Sequence, residues 1–385
     1  MEPGPGQSRQ VLFRRLRIPV AILACGLALP VLALGLIFET WRGRLALVPF
    51  LAATALPPVL LSLACSADRR ARRFAAPGIL VAVLGVSLSA VLLAAPPGRA
   101  EPGSSVQQAF LADRGFHRLS PFNLIPELDQ MKAGIVLGPA LGLLQDREEA
   151  RRLTEIVLPL ERAAENRVEY RQMGSVAGWT LAENWGGAFD AGHLYQYVPP
   201  RTSGERLPVL VVLHGFGGNH KAYLLAFEEF GARNRFIVLC PSYGFGFYRD
   251  GWPDAMDRVR AYALEKLAAD PDRIFLLGYS NGGIGVFKAA AAHPNQYAGM
   301  ILISAVNRLD LFTPEVRAAW GERPILCLYG GKDDRIPPEY VSGGNDKLRK
   351  LGLRVTEHLY PEEDHFLIFS ERRGIADRIR AWMER

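Results

Sequence analysis

Cysteine is scarce, four in 385 residues. Cys25 and Cys65 fall in long apolar runs, and Cys240 and Cys327 lie in or beside short strand-like runs. All four read as small buried hydrophobes, which excludes a disulfide framework. No His/Cys spacing has the form of a metal site, and no cofactor is expected. Internal repeats are absent. So is any aromatic-basic motif of the kind that binds nucleic acid, although the chain carries a net charge of +6. The excess is local. Residues 1–100 hold eleven arginines and three acids, a net +8, and subtracting that from the whole leaves −2 for residues 101–385. A basic balance confined to the front reads as membrane topology, not as a nucleic-acid footprint.

Charge is missing altogether from three apolar stretches in that front region: 18–38, 45–65 and 78–95. Each is near the length that crosses the hydrocarbon layer as a helix. Pro30, Pro49, Pro57 and Pro58 fit a membrane span better than a water-exposed helix. Arg9, Arg14, Arg15 and Arg17 precede the first stretch, and Arg69, Arg70, Arg72 and Arg73 separate the second from the third. The positive-inside bias then predicts three spans within residues 1–97 and a multi-pass cell-membrane protein. The lipid bilayer would be its partner, and everything after residue 97 would lie on the extracytoplasmic face. A signal peptide over 18–38 is the competing reading, weakened by the lack of a small-residue cleavage site. None of the stretches contains an ionisable residue, so they suggest an anchor and no ion path.

Residues 98–105 have the Pro/Gly/Ser content of a linker. The segment 106–190 is expected to be an accessory, partly helical region, with a charged helix over 145–167 interrupted at Pro159. Its role is open. From residue 191 the pattern changes. Short, uninterrupted apolar runs at 209–213, 236–240, 274–277, 300–303 and 325–329 suit strands buried on both faces, and the alternating run 355–360 reads as the last strand. Helical stretches such as 254–269, 284–293 and 375–383 lie between or after them. The alternation predicts an α/β domain over 191–385 with a mostly parallel sheet.

The chemistry gathers at the ends of these runs. Gly278-Tyr279-Ser280-Asn281-Gly282 stands between a strand and a helix. A serine between glycines at such a turn forms a nucleophile elbow. A serine hydroxyl needs a general base, and the base needs an acid to orient it. Asp333, in the turn after the 325–329 run, is the chosen acid. Asp334 is its substitute and Asp310 a weaker candidate. His365, in the loop after 355–360, is the chosen base, whereas His358 lies within the strand and reads as structural. His214-Gly215-Phe216-Gly217-Gly218 follows another strand and can aim backbone N–H groups at one point. Asn281 and Phe216 are the expected oxyanion donors, with Gly217 as the alternative to Phe216. His214 reads as a residue that fixes the loop.

These residues, together with Asp364-His365-Phe366, resemble the α/β-hydrolase superfamily. The likeness runs from about residue 192 to 385. Within the superfamily they are similar to the esterase branch of polyhydroxybutyrate-depolymerase-like, feruloyl-esterase-like and dienelactone-hydrolase-like proteins. Dienelactone hydrolases use a cysteine where this chain has Ser280. The resemblance implies an α/β-hydrolase fold, preceded here by about three transmembrane helices. It also implies a membrane-anchored serine hydrolase that cleaves a carboxylic ester through Ser280, His365 and Asp333. The substrate would carry an ester or acyl group. An acyltransferase or serine peptidase would use the same three residues. A non-catalytic binding module held at the membrane is the reading of another class.

Overall fold

A computed structural model of the chain describes residues 19, 22–23, 25–26, 28–52, 56, 104–111, 121–175, 180, 193–249 and 251–384. They divide into two compact units, Met1–Pro96 with Leu119–Ala150, and Pro97–Arg118 with Arg151–Arg385.

In the first unit, residues 28–37 are helical. The last backbone bond of that run joins Phe38 N–H to the Leu34 carbonyl. The chain then leaves the helix. Buried Asp129 accepts hydrogen bonds from the N–H groups of Glu39 and Thr40 and from the Thr40 hydroxyl. Thr40 caps a new six-residue helix, α1 (Trp41–Ala46), by accepting from Gly43 N–H at 2.9 Å. Asp129 itself lies on helix α2 (Glu127–Leu137).

The three expected transmembrane helices are therefore corrected. Among the described residues, no helix is long and apolar enough to cross a membrane. The first expected span ends in the turn at Glu39 and Thr40. The second, 45–65, falls across the end of the short helix α1, and its residues 53–55 and 57–65 lie outside the described residues. All of the third, 78–95, also lies outside them. The predicted extracytoplasmic placement and the bilayer as partner rested on three spans and fall with them. Hydropathy along a run registers apolar content. It does not register a turn fixed by a carboxylate 90 residues away.

The second unit is built on an eight-stranded sheet in the order β1-β2-β4-β3-β5-β6-β7-β8. The strands are β1 (Val106–Phe110), β2 (His193–Tyr197), β3 (Leu207–Leu213), β4 (Ile237–Pro241), β5 (Ala269–Tyr279), β6 (Gly299–Ile303), β7 (Ile325–Gly330) and β8 (Val355–Tyr360). β1 and β2 pair antiparallel, as do β2 and β4, and every pairing from β4 to β8 is parallel. β3, β4, β6 and β7 are buried along their whole length. This is why they read as continuous apolar runs: helices cover both faces of a parallel sheet.

The helices from residue 147 onward are α3 (Arg147–Glu165), α4 (Val168–Gln172), α5 (Lys221–Asn234), α6 (Trp252–Lys266), α7 (Gly282–Ala292), α8 (Pro314–Trp320), α9 (Pro338–Lys350), α10 (Leu367–Ser370) and α11 (Arg372–Met383). α3 runs unbroken through Pro159, where an interruption was expected. Proline inside a helix costs about 3 kcal/mol. Burial of Val157, Leu158, Leu160 and Ala164 around it opposes that cost. The core continues through α7 and α8, where Phe287 meets Phe312 edge-on at 5.6 Å and Phe312 meets Trp320 at 6.0 Å. Because β3 and β5 to β8 are parallel, their carboxyl ends share one edge of the sheet. In open α/β sheets that edge is where ligands bind.

Candidate active site

Ser280 occupies the turn between β5 and α7 with φ +53°. A side chain in the left-handed region is strained, and here the surroundings hold it. Ser280 N–H donates to the Ile303 carbonyl at 3.1 Å, and the Ser280 carbonyl accepts from Val306 N–H at 2.9 Å. Gly282 makes the turn possible. A Cβ there would lie 2.2 Å from the Leu213 carbonyl oxygen at the end of β3. The helix can approach the sheet this closely only without a side chain.

The loops after β7 and β8 bring the other two residues in. His365 Nε2 is 3.0 Å from Ser280 Oγ. His365 Nδ1 is 2.9 Å from Asp333 Oδ2 and 3.1 Å from Oδ1. All three side chains are buried. Asp333 Oδ1 also accepts from Arg335 N–H at 3.0 Å and Ile336 N–H at 2.8 Å. Burial alone would raise the Asp333 pKa. The hydrogen bond and charge of His365, with the Ile336 N–H, outweigh it and hold the carboxyl below its ordinary value. Since Nδ1 faces a carboxylate, it carries the proton, which leaves Nε2 as the acceptor facing the serine.

The remaining candidates lie elsewhere. Asp334 is exposed, and Asp310 is exposed and pairs with Arg308 at 2.6 Å. His358 stays on β8, edge-on to Tyr360 at 4.6 Å.

The loop after β3 is pinned on both sides of Phe216. Gly215 N–H donates to Tyr223 Oη at 3.2 Å, and Gly217 N–H to the Phe245 carbonyl at 3.2 Å. The Phe216 and Asn281 N–H groups have no hydrogen-bond partner among the described residues. Gly215 packs against Ser280, since a Cβ on it would lie 3.1 Å from the Ser280 Cβ. His214 is fully buried. Its Nε2 accepts from Tyr243 N–H at 3.0 Å, so Nδ1 carries the proton and donates to the Gly215 carbonyl at 2.8 Å. Burial pushes its pKa down to about 4, so it stays neutral at pH 7. Tyr248 Oη donates to the His214 carbonyl at 2.6 Å.

Sequence reasoning did not single out the loop at Tyr243–Tyr248. It supplies the Phe245 carbonyl and the Tyr243 N–H that brace the turn after β3. It also lines up an aromatic ledge. Phe216 is 46% exposed and Phe247 44%, with ring centroids 5.8 Å apart, and Phe245 lies 6.1 Å from Phe216. The Arg249 guanidinium sits 5.3 Å from the Phe247 ring centre. The only sequence signal for this loop was its run of aromatics and glycines.

Among the described residues, no group of His, Cys, Asp and Glu could hold a metal ion.

Comparison with known proteins gives the following. Residues 204–323 match the family model described as serine aminopeptidase, S33. That stretch contains the turn after β3 and the elbow, and ends before Asp333 and His365. NocK of Nocardia uniformis subsp. tsuyamanensis, provisionally assigned as an esterase, is 31% identical over 160 residues, which is 36% of this chain and 43% of NocK. A proline iminopeptidase of Thermoplasma volcanium is 25% identical over 177 residues, 43% of this chain and 59% of that protein. The chain thus spans about half the length of these curated relatives. Among solved structures, fluorophosphonate-binding serine hydrolase F of Staphylococcus aureus aligns at 17% identity and a TM-score of 0.44. The alignment covers 50% of this chain and 92% of that one. Through its 204–323 region the chain is similar to serine hydrolases of the esterase and peptidase type.

Proposed function

We propose that this chain cleaves a carboxylic ester through an acyl-enzyme, with Ser280 as nucleophile, His365 as base and Asp333 as orienting acid. The observation that carries the reading is the relay from Asp333 through His365 to Ser280, with links of 2.9 and 3.0 Å. His365 Nε2 takes the hydroxyl proton as Ser280 Oγ attacks the carbonyl carbon. The ionised Asp333 keeps Nδ1 protonated and stabilises the imidazolium that forms. The N–H groups of Phe216 and Asn281 receive the oxyanion, an assignment supported by their lack of other partners and by the engagement of Gly217 with Phe245. His365 then returns its proton to the leaving alcohol and activates water to release the acid. The apolar group of the substrate rests on Phe216 and Phe247.

An amide is the second substrate class, favoured by the aminopeptidase description of the matching family model. Matched esters and amides of one acyl group, assayed with water alone and with added alcohol or amine, test the proposal. Ester turnover yielding free acid supports it. Amide turnover at a comparable rate makes the chain a peptidase, and acyl transfer to the added acceptor in preference to water makes it a transferase.

A further inference from the structure

The segment in front of the α/β core reaches the loop that carries His365. Arg152, on α3, donates from Nε to Asp364 Oδ2 at 2.9 Å, and its Nη2 lies 3.7 Å from Glu363 Oε2. Asp364 immediately precedes His365. The other oxygen of its carboxylate accepts from Phe366 N–H at 2.9 Å. One carboxylate therefore spans the histidine, bonding the backbone on its far side while Arg152 holds its free oxygen. This is the Asx-type turn that short acidic side chains form two residues ahead. The rest of the loop is fixed from the sheet side. Lys332 N–H donates to the Glu363 carbonyl at 2.9 Å, and a Cβ on Gly330 would lie 2.4 Å from that same carbonyl oxygen.

α3 has the fixed seat that such a role demands. Just beyond its end, Arg167 makes a forked pair with Glu228 of α5 at 2.6 and 2.8 Å, and Tyr170 Oη donates to the same carboxylate at 2.9 Å. Tyr170 is completely buried. β1 extends the sheet beside β2.

We infer that Arg152 is a positioning residue for His365, and that the stretch from Arg152 to Tyr170 is part of the active-site scaffold. The inference rests on His365 being the base of the proposed hydrolase. The physical reason is distance tolerance. Proton transfer from Ser280 requires Nε2 within hydrogen-bond reach, and a loop displacement of about 1 Å can cost about a hundredfold in rate. A bond to Asp364 that shapes the turn around His365 therefore acts on turnover, with little effect on substrate binding.

Steady-state ester kinetics and fluorophosphonate labelling rates of the full chain test this, comparing wild type with Arg152→Met, Arg152→Lys and Arg151→Met. Arg151 is exposed and pairs with Glu155 on its own helix, so it serves as the neighbouring control. The expected result for Arg152→Met is a roughly five- to thirtyfold loss of kcat with KM within about twofold, and a matching loss of labelling rate. Arg152→Lys recovers at least half of that loss on a logarithmic scale, and Arg151→Met matches wild type. Wild-type kcat and labelling in a folded Arg152→Met protein overturn the inference. So does a loss that appears in KM alone, or one that tracks melting temperature equally in the Met and Lys variants. Absence of labelling in the wild type would instead strike the serine-hydrolase reading itself.

Discussion

Ser280 stands in a backbone conformation that favours glycine, held by a donor and an acceptor from the strand and loop next to it. Its hydroxyl can vanish without moving that backbone. Ser280→Ala is therefore expected to fold as wild type and to lose about a millionfold in kcat on the ester, measured against the uncatalysed rate. Asp333→Asn should cost about 10⁴-fold, because an amide no longer enforces the proton on His365 Nδ1. The same carboxylate affects stability. Its pKa is lowered in the folded chain, so its contribution is complete above the ordinary aspartate value. The contribution disappears as pH falls from there through the lowered folded value. Urea unfolding of wild type and Asp333→Asn should differ most at pH 6 to 7 and converge as the pH drops below about 3.9. Much of this was legible at the residue scale. Asp333 follows an apolar run and His365 an alternating one, each ending in a turn, and Ser280 lies between Gly278 and Gly282. Phe216 was the expected second oxyanion donor with Gly217 as its alternative, but what engages the Gly217 N–H was not legible. It is the carbonyl of Phe245, in a loop whose position no local pattern announces.

Elements bring these residues to one edge, and their tolerances are small. The Leu213 carbonyl oxygen would lie 2.2 Å from a Cβ on Gly282, so Gly282→Ala must push α7 away from β3. A loss of about 2–4 kcal/mol is expected in chemical denaturation, with activity falling further than stability alone explains. The loop at Tyr243–Tyr248 acts differently. Phe247→Ala leaves the backbone braces in place and removes half of the exposed ledge. It should raise KM for esters with large apolar groups by about tenfold while sparing acetate esters, as a comparison of the two series would reveal. β3, β4, β6 and β7 were predictable to within a few residues because burial on both faces writes continuous apolar runs. β5 departs from its run. It begins at Ala269, five residues before the apolar run at 274–277, because Ala269 pairs with Leu207 across a register shift. Its first residues, Asp270, Pro271, Asp272 and Arg273, look like a loop to any reading of hydropathy.

At the scale of the whole molecule, the region ahead of the α/β core was the least legible. β1, with two glutamines in its five residues, carries no strand signal by itself. It is a strand because β2 offers it an edge. The apolar front of the chain misled in the opposite direction. Its content suggested three membrane helices, whereas the helix at 28–37 ends in a turn bound by Asp129, and no described helix suffices to cross a membrane. One link between α4 and the α/β core is a polar cluster at Glu228. Removing the Glu228 carboxylate would leave Arg167 and Tyr170 without the group they share. Glu228→Ala is expected to cost about 1–3 kcal/mol, a fall of roughly 3–10 °C in melting temperature by calorimetry.

The central claim is that Ser280 is a nucleophile activated by His365. Peptide mapping by mass spectrometry after brief treatment with a fluorophosphonate tests it most directly. The account predicts one phosphonyl group, on the peptide that contains Ser280. It predicts none in Ser280→Ala, and labelling slower by at least about 10³-fold in His365→Ala. A folded wild-type chain that stays unmodified, or carries the group at another residue, would contradict it.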